Sequence, residues 1–193
     1  PSSVADSGSI TQRMFWDLGR KSSPFRNVDY IPEIFYLLPE RAVADGVLLT
    51  GQAGFQHMSN GRDGDASRSF NTFYVQPMAT FVLSGYRISA GPRAWLYTGS
   101  LSDNPDIRRY RGNFGFNADI DRDDGLRLST TGRISAQSGR AALDAEVSYP
   151  LQSLIGGAPN LYVFGQGFAG YGENLLDYRK RQTRLRVGFG IVR

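Results

Sequence analysis

The chain contains no cysteine, which excludes a disulfide framework, a thiolate metal site and a thiol nucleophile. It has a single histidine, His57, and only two lysines, Lys21 and Lys180. No apolar run approaches the roughly 20 residues that a membrane-spanning helix needs. Hydrophobic residues make up 40%, below the roughly 45–50% of ordinary soluble domains. No cationic segment with an apolar core opens the chain, so Pro1 is expected to begin a processed or truncated form, or a protein that never carried such a signal.

What is present points elsewhere. Aromatics reach 12% and there are 23 glycines among 193 residues. The aromatic content argues against disorder, and the glycine content against a bundle of good helix formers. Net charge is +4 with a pI near 9.5, which alone would allow an anionic partner. The basic residues are nearly all arginines scattered along the chain, a residue suited to fixed, paired positions. No nucleic-acid partner is expected.

Period-two alternation runs through almost the whole sequence. Val47, Leu49, Ala53 and Phe55 alternate with Leu48, Thr50, Gln52 and Gln56. Phe73, Val75, Ala79 and Phe81 alternate with Thr72, Tyr74, Gln76 and Met78, and Ile88, Ala90, Ala94 and Leu96 with Arg87, Ser89, Arg93 and Trp95. The pattern continues from Tyr110 through Gly112, Phe114 and Phe116, then from Leu126, from Leu143 and from Leu185 to Ile191. With stretches near 9–18, 28–38 and 160–170, ten strands are predicted, separated by turn signals such as Asp45-Gly46 and Asp124-Gly125. A soluble sandwich or lipocalin-like barrel would also alternate. The polar faces, however, carry Arg, Asp, Glu, Asn, Gln and Ser rather than Lys and Glu, a set that can pair within a barrel interior while the apolar face meets lipid. The expected fold is all-β, an antiparallel transmembrane β-barrel forming one domain over residues 1–193.

Two motifs resemble chemistry without its context. Gly165-Gln166-Gly167-Phe168-Ala169-Gly170 spells a dinucleotide fingerprint but opens no helix. Asp119, Asp121, Asp123 and Asp124 before Gly125 resemble a calcium loop, yet Thr130 stands where a bidentate Glu belongs, so an acidic hairpin turn is expected. More informative is the parity of His57 and Ser59, which continues the apolar face from Val47, while Asn71 and Ser69 lie on that of Phe73. Serine, a base and a group that orients the base are the parts of an acyl-transfer triad, and asparagine can serve as the third. The plainer alternative is a set of polar residues at a strand end near the membrane interface.

Five blocks in order, Ser22-Ser23-Pro24-Phe25-Arg26, His57-x-Ser59-Asn60-Gly61-Arg62, Ser67-Arg68-Ser69-Phe70-Asn71, Asp103-Asn104-Pro105-Asp106 and Gly170 to Tyr178, resemble the bacterial outer membrane phospholipase A family from about Ile10 to Ile191. That resemblance implies a calcium-dependent phospholipase A1/A2 and lysophospholipase in the outer membrane of a Gram-negative bacterium. It implies Ser59 as nucleophile, His57 as general base, Asn71 as the residue orienting it, and Gly61 as the oxyanion-hole amide. Calcium in an active homodimer would be held by Ser22 from one protomer and by Arg62 and Ser67 from its partner, with Asp103 matching a ligand of the monomer's site. Membrane phospholipids would be the substrate. The family dimerises through a glutamine matching Gln12, which shares the lipid-facing parity of Ile10, Met14 and Trp16.

The sequence departs from the family in three places. Family barrels have twelve strands, and the first two are missing here. Arg193 closes the chain where an aromatic residue is usual, and Gly64 stands at an expected acidic position, leaving Asp63 or Asp65 as the carboxylate. A non-catalytic barrel, either pore or adhesion scaffold, and an inactive truncated relative are the competing readings.

Overall fold

The computed structural model describes residues 6–22, 24–156 and 161–191. Ser23 of the first motif block and the closing Arg193 lie outside the described residues. The elements in chain order are β1 (Asp6–Trp16), β2 (Phe25–Ala44), β3 (Val47–Ser59), a 3-10 turn (Gly64–Ala66), β4 (Ser69–Leu83) and β5 (Tyr86–Thr98). They continue with α1 (Ile107–Arg111), β6 (Phe114–Arg122), β7 (Arg127–Ile134), β8 (Ala141–Pro150), α2 (Leu151–Leu154), β9 (Tyr162–Tyr171) and β10 (Arg181–Gly190).

The ten strands form one sheet in which each pairs with its sequence neighbour, all antiparallel, curled into a half-barrel. No helix among the described residues is long and apolar enough to cross a membrane, a test that does not bear on spanning strands. Alternation sorts the side chains as the sequence predicts. Outward positions are apolar and bare, with Ile10 at 80%, Leu96 at 73% and Leu185 at 83% exposure. Inward positions carry the paired polar groups: Arg13 with Asp144 at 3.7 Å, Arg93 with Glu33 at 3.9 Å, and Arg186 with Glu173. Glu33 also accepts from Ser9 at 2.9 Å, Gln56 at 3.2 Å and Tyr74 at 3.1 Å, so one carboxylate ties its own strand to four others. Such pairing is what makes buried charge tolerable.

Two expectations need correction. β2 extends over 20 residues, well beyond the predicted 28–38. The alternation through Tyr110 and Gly112 is not strand: α1 occupies 107–111, and the strand starts at Phe114. There Gly112, at φ 68°, passes so close to β7 that a Cβ would stand 1.9 Å from the Ile134 carbonyl. Pro77 and Pro92 sit inside strands, and the β4–β5 ladder lapses between the Val75/Ala94 and Ala79/Ala90 pairs because proline offers no N–H. β1 and β10 are not paired with each other among the described residues, so no ladder closes the interior. A gap of about 420 Å³ lies there, lined by Met14, Phe15 and Trp16 of β1 and Arg184, Leu185 and Arg186 of β10.

The apolar core sits at the long-loop end rather than along the lumen. Met58, Phe70, Ile107, Leu175 and Tyr178 cluster there, all essentially buried. The 172–180 loop folds inward over it, and the Leu175 N–H donates to the buried Asp29 carboxylate at 3.2 Å. The other end has tight turns, including Asp45-Gly46 and the acidic hairpin at 123–125, where Asp124 accepts from Leu126 N at 3.1 Å. Gly165 to Gly170 lies within β9 with no helix following, as in no dinucleotide fold.

Val75→Arg, an outward position near the middle of β4, is expected to cost about 2–4 kcal/mol in reversible unfolding from bilayers.

Candidate active site

The β3–β4 hairpin determines the site. Its register sets His57 opposite Asn71 and Ser59 opposite Ser69. Asn71 Oδ1 lies 2.7 Å from His57 Nδ1. A carbonyl oxygen can only accept, so Nδ1 is the donor, and in the neutral ring this leaves the lone pair on Nε2, the tautomer a general base requires. Ser59 lies two residues along the same face, roughly 7 Å away by Cα spacing. Among the described residues, Ser59 Oγ makes no side-chain hydrogen bond, so the structure joins two members of the expected triad directly and sets the third beside them.

This face is the outward one. A groove of about 450 Å³ runs from His57 over Phe55, Ile34, Pro32 and Ile10. The pairing register also places Gln12 opposite Tyr30, and Tyr30 opposite Ser59. Gln12, Tyr30, Ser59 and Ser69 therefore form one row across four strands, with Gln12 exposed and about 10 Å from Ser59 at two strand spacings.

Beyond Ser59 the chain turns at Gly61, φ 62°, whose Cα approaches the Tyr30 ring so closely that a Cβ would stand 3.1 Å from it. Asn60, buried, organises the rest of the loop: its Nδ2 donates to Ala66 O at 2.9 Å and its Oδ1 accepts from Arg68 N at 3.0 Å. The fully buried Asn104 accepts from Ser69 N at 3.0 Å. These contacts bring the expected metal-binding residues of this loop beside the fourth: Ser67 Oγ donates to Asp103 Oδ2 at 2.7 Å. Arg62 reaches the carbonyl of Arg26 at the start of β2. Ser22 stands apart on the exposed β1–β2 turn, with φ 67°. Asp63 and Asp65 are both exposed. Among the described residues no group of three or more His, Cys, Asp or Glu gathers, so any cation here would rest on hydroxyl, carbonyl and single carboxylate oxygens. Hard oxygens of that kind suit calcium and exclude a soft-metal site.

Two ion clusters fasten the surrounding rim. Asp177 accepts from Arg26 at 2.7 Å and Lys180 at 2.8 Å. Burial pushes its carboxyl up, but these two cations outweigh burial and hold it below the ordinary carboxylate range. Asp106 binds Arg179 at 3.0 Å and the Tyr178 hydroxyl, whose pKa is pushed up to about 12 by burial and by this carboxylate.

The parity of residues 57, 59 and 71 is legible in the sequence. Asn60, Asn104, Tyr30 and the groove are not, because each depends on the register between strands or on a contact between loops. Asn104 does lie in the Asp103–Asp106 block, the one signal that pointed to it.

These features define a class, a membrane-embedded β-barrel chain bearing a hydrolase-type polar cluster on its lipid-facing side. The chain belongs to the phospholipase A1 family, whose profile matches residues 6–191. A putative phospholipase A1 of Neisseria meningitidis is 34% identical over 187 residues, 92% of this chain and 46% of that protein. The phospholipase A1 of Escherichia coli is 32% identical over 191 residues, 97% of this chain and 62% of that protein. The chain thus spans about half to three-fifths of the length of these relatives. Among solved structures, the outer membrane phospholipase A of Escherichia coli superposes with a TM-score of 0.81 at 31% identity, covering 96% of this chain and 69% of that one. The calcium-bound dimer of the Salmonella typhi outer membrane phospholipase gives 0.82 at 31% identity, covering 96% and 70%.

Asn60→Ala removes an acceptor from Arg68 N–H and a donor from Ala66 O, so hydrogen exchange at the Arg68 amide is expected to accelerate by about tenfold or more, at a cost near 1–3 kcal/mol.

Proposed function

We propose that this chain hydrolyses acyl esters of glycerophospholipids and lysophospholipids in the outer membrane of a Gram-negative bacterium, with Ser59 as nucleophile. The observation that carries the reading is the 2.7 Å His57–Asn71 contact on the same lipid-facing surface as Ser59. Phospholipid esters lie at the level of the membrane interface, so a nucleophile on the outward face at the strand ends meets its substrate without extracting it from the bilayer. The family membership and the relatives named above support this substrate class.

In this mechanism His57 Nε2 takes the proton from Ser59 Oγ as Oγ attacks the ester carbonyl carbon. Asn71 holds the imidazole tautomer and stabilises the imidazolium that forms. The Gly61 N–H donates to the developing oxyanion. Collapse of the tetrahedral intermediate breaks the bond to the glycerol oxygen, which takes the proton from His57 and leaves as lysophospholipid. Water, deprotonated by His57, then attacks the acyl-enzyme and releases fatty acid and free Ser59. The groove from His57 to Ile10 offers apolar surface to an acyl chain.

Calcium fits the oxygens beside this site, and when bound it would polarise a water that adds a donor toward the oxyanion. Ser22 from one protomer, with Arg62 and Ser67 from its partner, would hold it in a homodimer, and Asp103 in the monomer. The Salmonella typhi relative with bound calcium supports the cofactor and the dimer. Gln12 suits the dimer contact because an amide on a lipid-facing strand gains about 0.6–2 kcal/mol by pairing with another. A pore is disfavoured by the charge pairs crossing the interior and by the core packed over its loop end.

Three outcomes are expected. Ser59→Ala lowers kcat on a chromogenic thioester at least about 10³-fold while the folded fraction is unchanged; retained turnover contradicts the assignment. EDTA stops turnover and added calcium restores it, whereas full activity in chelator removes the cation from the mechanism. Gln12→Val lowers the cross-linked dimer fraction and activity together, and activity in a strictly monomeric variant would separate the two.

A further inference from the structure

A second polar site lies in the interior, away from the triad. A cavity of about 250 Å³ beneath the loop-end core is lined by Arg13, Arg93, Arg111, Arg133 and Asn117, with Trp95 on its wall. No carboxylate lines it. Arg13 is paired with Asp144, and Arg93 with Glu33. Arg111 and Arg133 have no ion-pair partner among the described residues. Both instead donate to the same backbone oxygen, Gly172 O, each at 2.7 Å, and Arg133 also reaches Tyr171 O at 2.7 Å.

Two guanidinium groups sharing one neutral acceptor repel each other, and a peptide carbonyl neutralises neither. Residue 172 has to be glycine for them to meet: a Cβ there would stand 2.8 Å from Arg111 Cγ. The buried carboxylate that attracts Arg111, Asp29, is already engaged by Asn27 Nδ2 at 2.6 Å and by the Leu175 N–H. Burial lowers the pKa of Arg111, Tyr97 and Asp29 oppose this, and Arg13 adds to the lowering. With Arg13 and Arg93 already in ion pairs, Arg111 and Arg133 are the two guanidinium groups of the lining left without a carboxylate at ion-pair distance among the described residues. Two buried polar atoms of the lining also lack partners, Arg133 Nε and Asn117 Oδ1. Buried polar atoms are nearly always satisfied, by protein or by ordered water, so this pair of orphans, one donor and one acceptor, is open to a ligand with both functions.

We propose that this cavity is a binding site for a small protonated oxyanion of the hydrogen-phosphate class. Its oxygens would accept from Arg111 and Arg133, including Arg133 Nε, and its O–H would donate to Asn117 Oδ1. Sulfate and chloride offer the charge but not that donor. The continuous outer sheet from β2 to β9 keeps lipid headgroups out.

The test is thermal unfolding of the whole refolded chain in a neutral detergent, titrated with inorganic phosphate at constant ionic strength set with chloride. Unfolding temperature is expected to rise saturably, by about 3 °C or more at ten times the half-saturating concentration, with sulfate giving a smaller rise. Arg111→Met/Arg133→Met abolishes the rise, while Arg179→Met at the outer rim keeps it. Where the double variant does not fold, calorimetric titration of the wild type with phosphate reads the same claim as saturable binding of one ion per chain. No saturable rise, no calorimetric binding, or an equal rise in the double variant overturns the proposal. So does an equal rise when phosphate is replaced by micelles doped with phosphatidylglycerol, since that anion is confined to the lipid face.

Discussion

Backbone hydrogen bonding without water is the constraint on which the rest of this structure depends. In a bilayer each unpaired peptide group costs several kcal/mol, so a chain without an apolar helix can span only as a sheet of neighbour-paired strands. Ten strands in strict sequence order meet that demand over β2 to β9, where both sides of each strand are paired. Once the ladder is set, the period of two fixes which side chains meet lipid and which meet the interior. Modest average hydrophobicity follows directly, because half of each strand is polar by design of the fold.

The same constraint places the catalytic candidates. A polar group on the lipid side is costly unless it is paired, and His57 and Asn71 are paired with each other across the hairpin. Their neighbour Ser59 lies at the strand end, where the ladder gives way to a loop held by Asn60 and Asn104. Rigid strands thus carry the proposed base and its orienting group, while the loop carries Gly61 and the oxygen-bearing residues. The row from Gln12 through Tyr30 to Ser59 makes any contact at Gln12 a neighbour of the proposed nucleophile, which would give the proposed coupling of assembly to activity a geometric basis.

Much of this was legible in the sequence because alternation is a local property. The strands from Val47, from Phe73 and from Leu185 were readable from their own residues, as was the shared face of His57, Ser59 and Asn71. Tyr110 and Gly112 misled because two residues of apparent alternation fit a short helix ending in a left-handed glycine equally well. The Asn104 anchor and the shared Gly172 acceptor were beyond reach for a different reason. Each is a contact between residues 30 or more apart, fixed by how the sheet curls rather than by any local pattern.

The central claim is that Ser59 is activated on the lipid-facing side by the His57–Asn71 pair. The most direct measurement is peptide mapping by mass spectrometry after reaction with a long-chain alkyl sulfonyl fluoride in detergent with calcium. The account predicts a single sulfonyl adduct on Ser59, formed in the native protein and absent from the His57→Ala variant. Adducts on other serines, or labelling of Ser59 that is indifferent to His57, would contradict it.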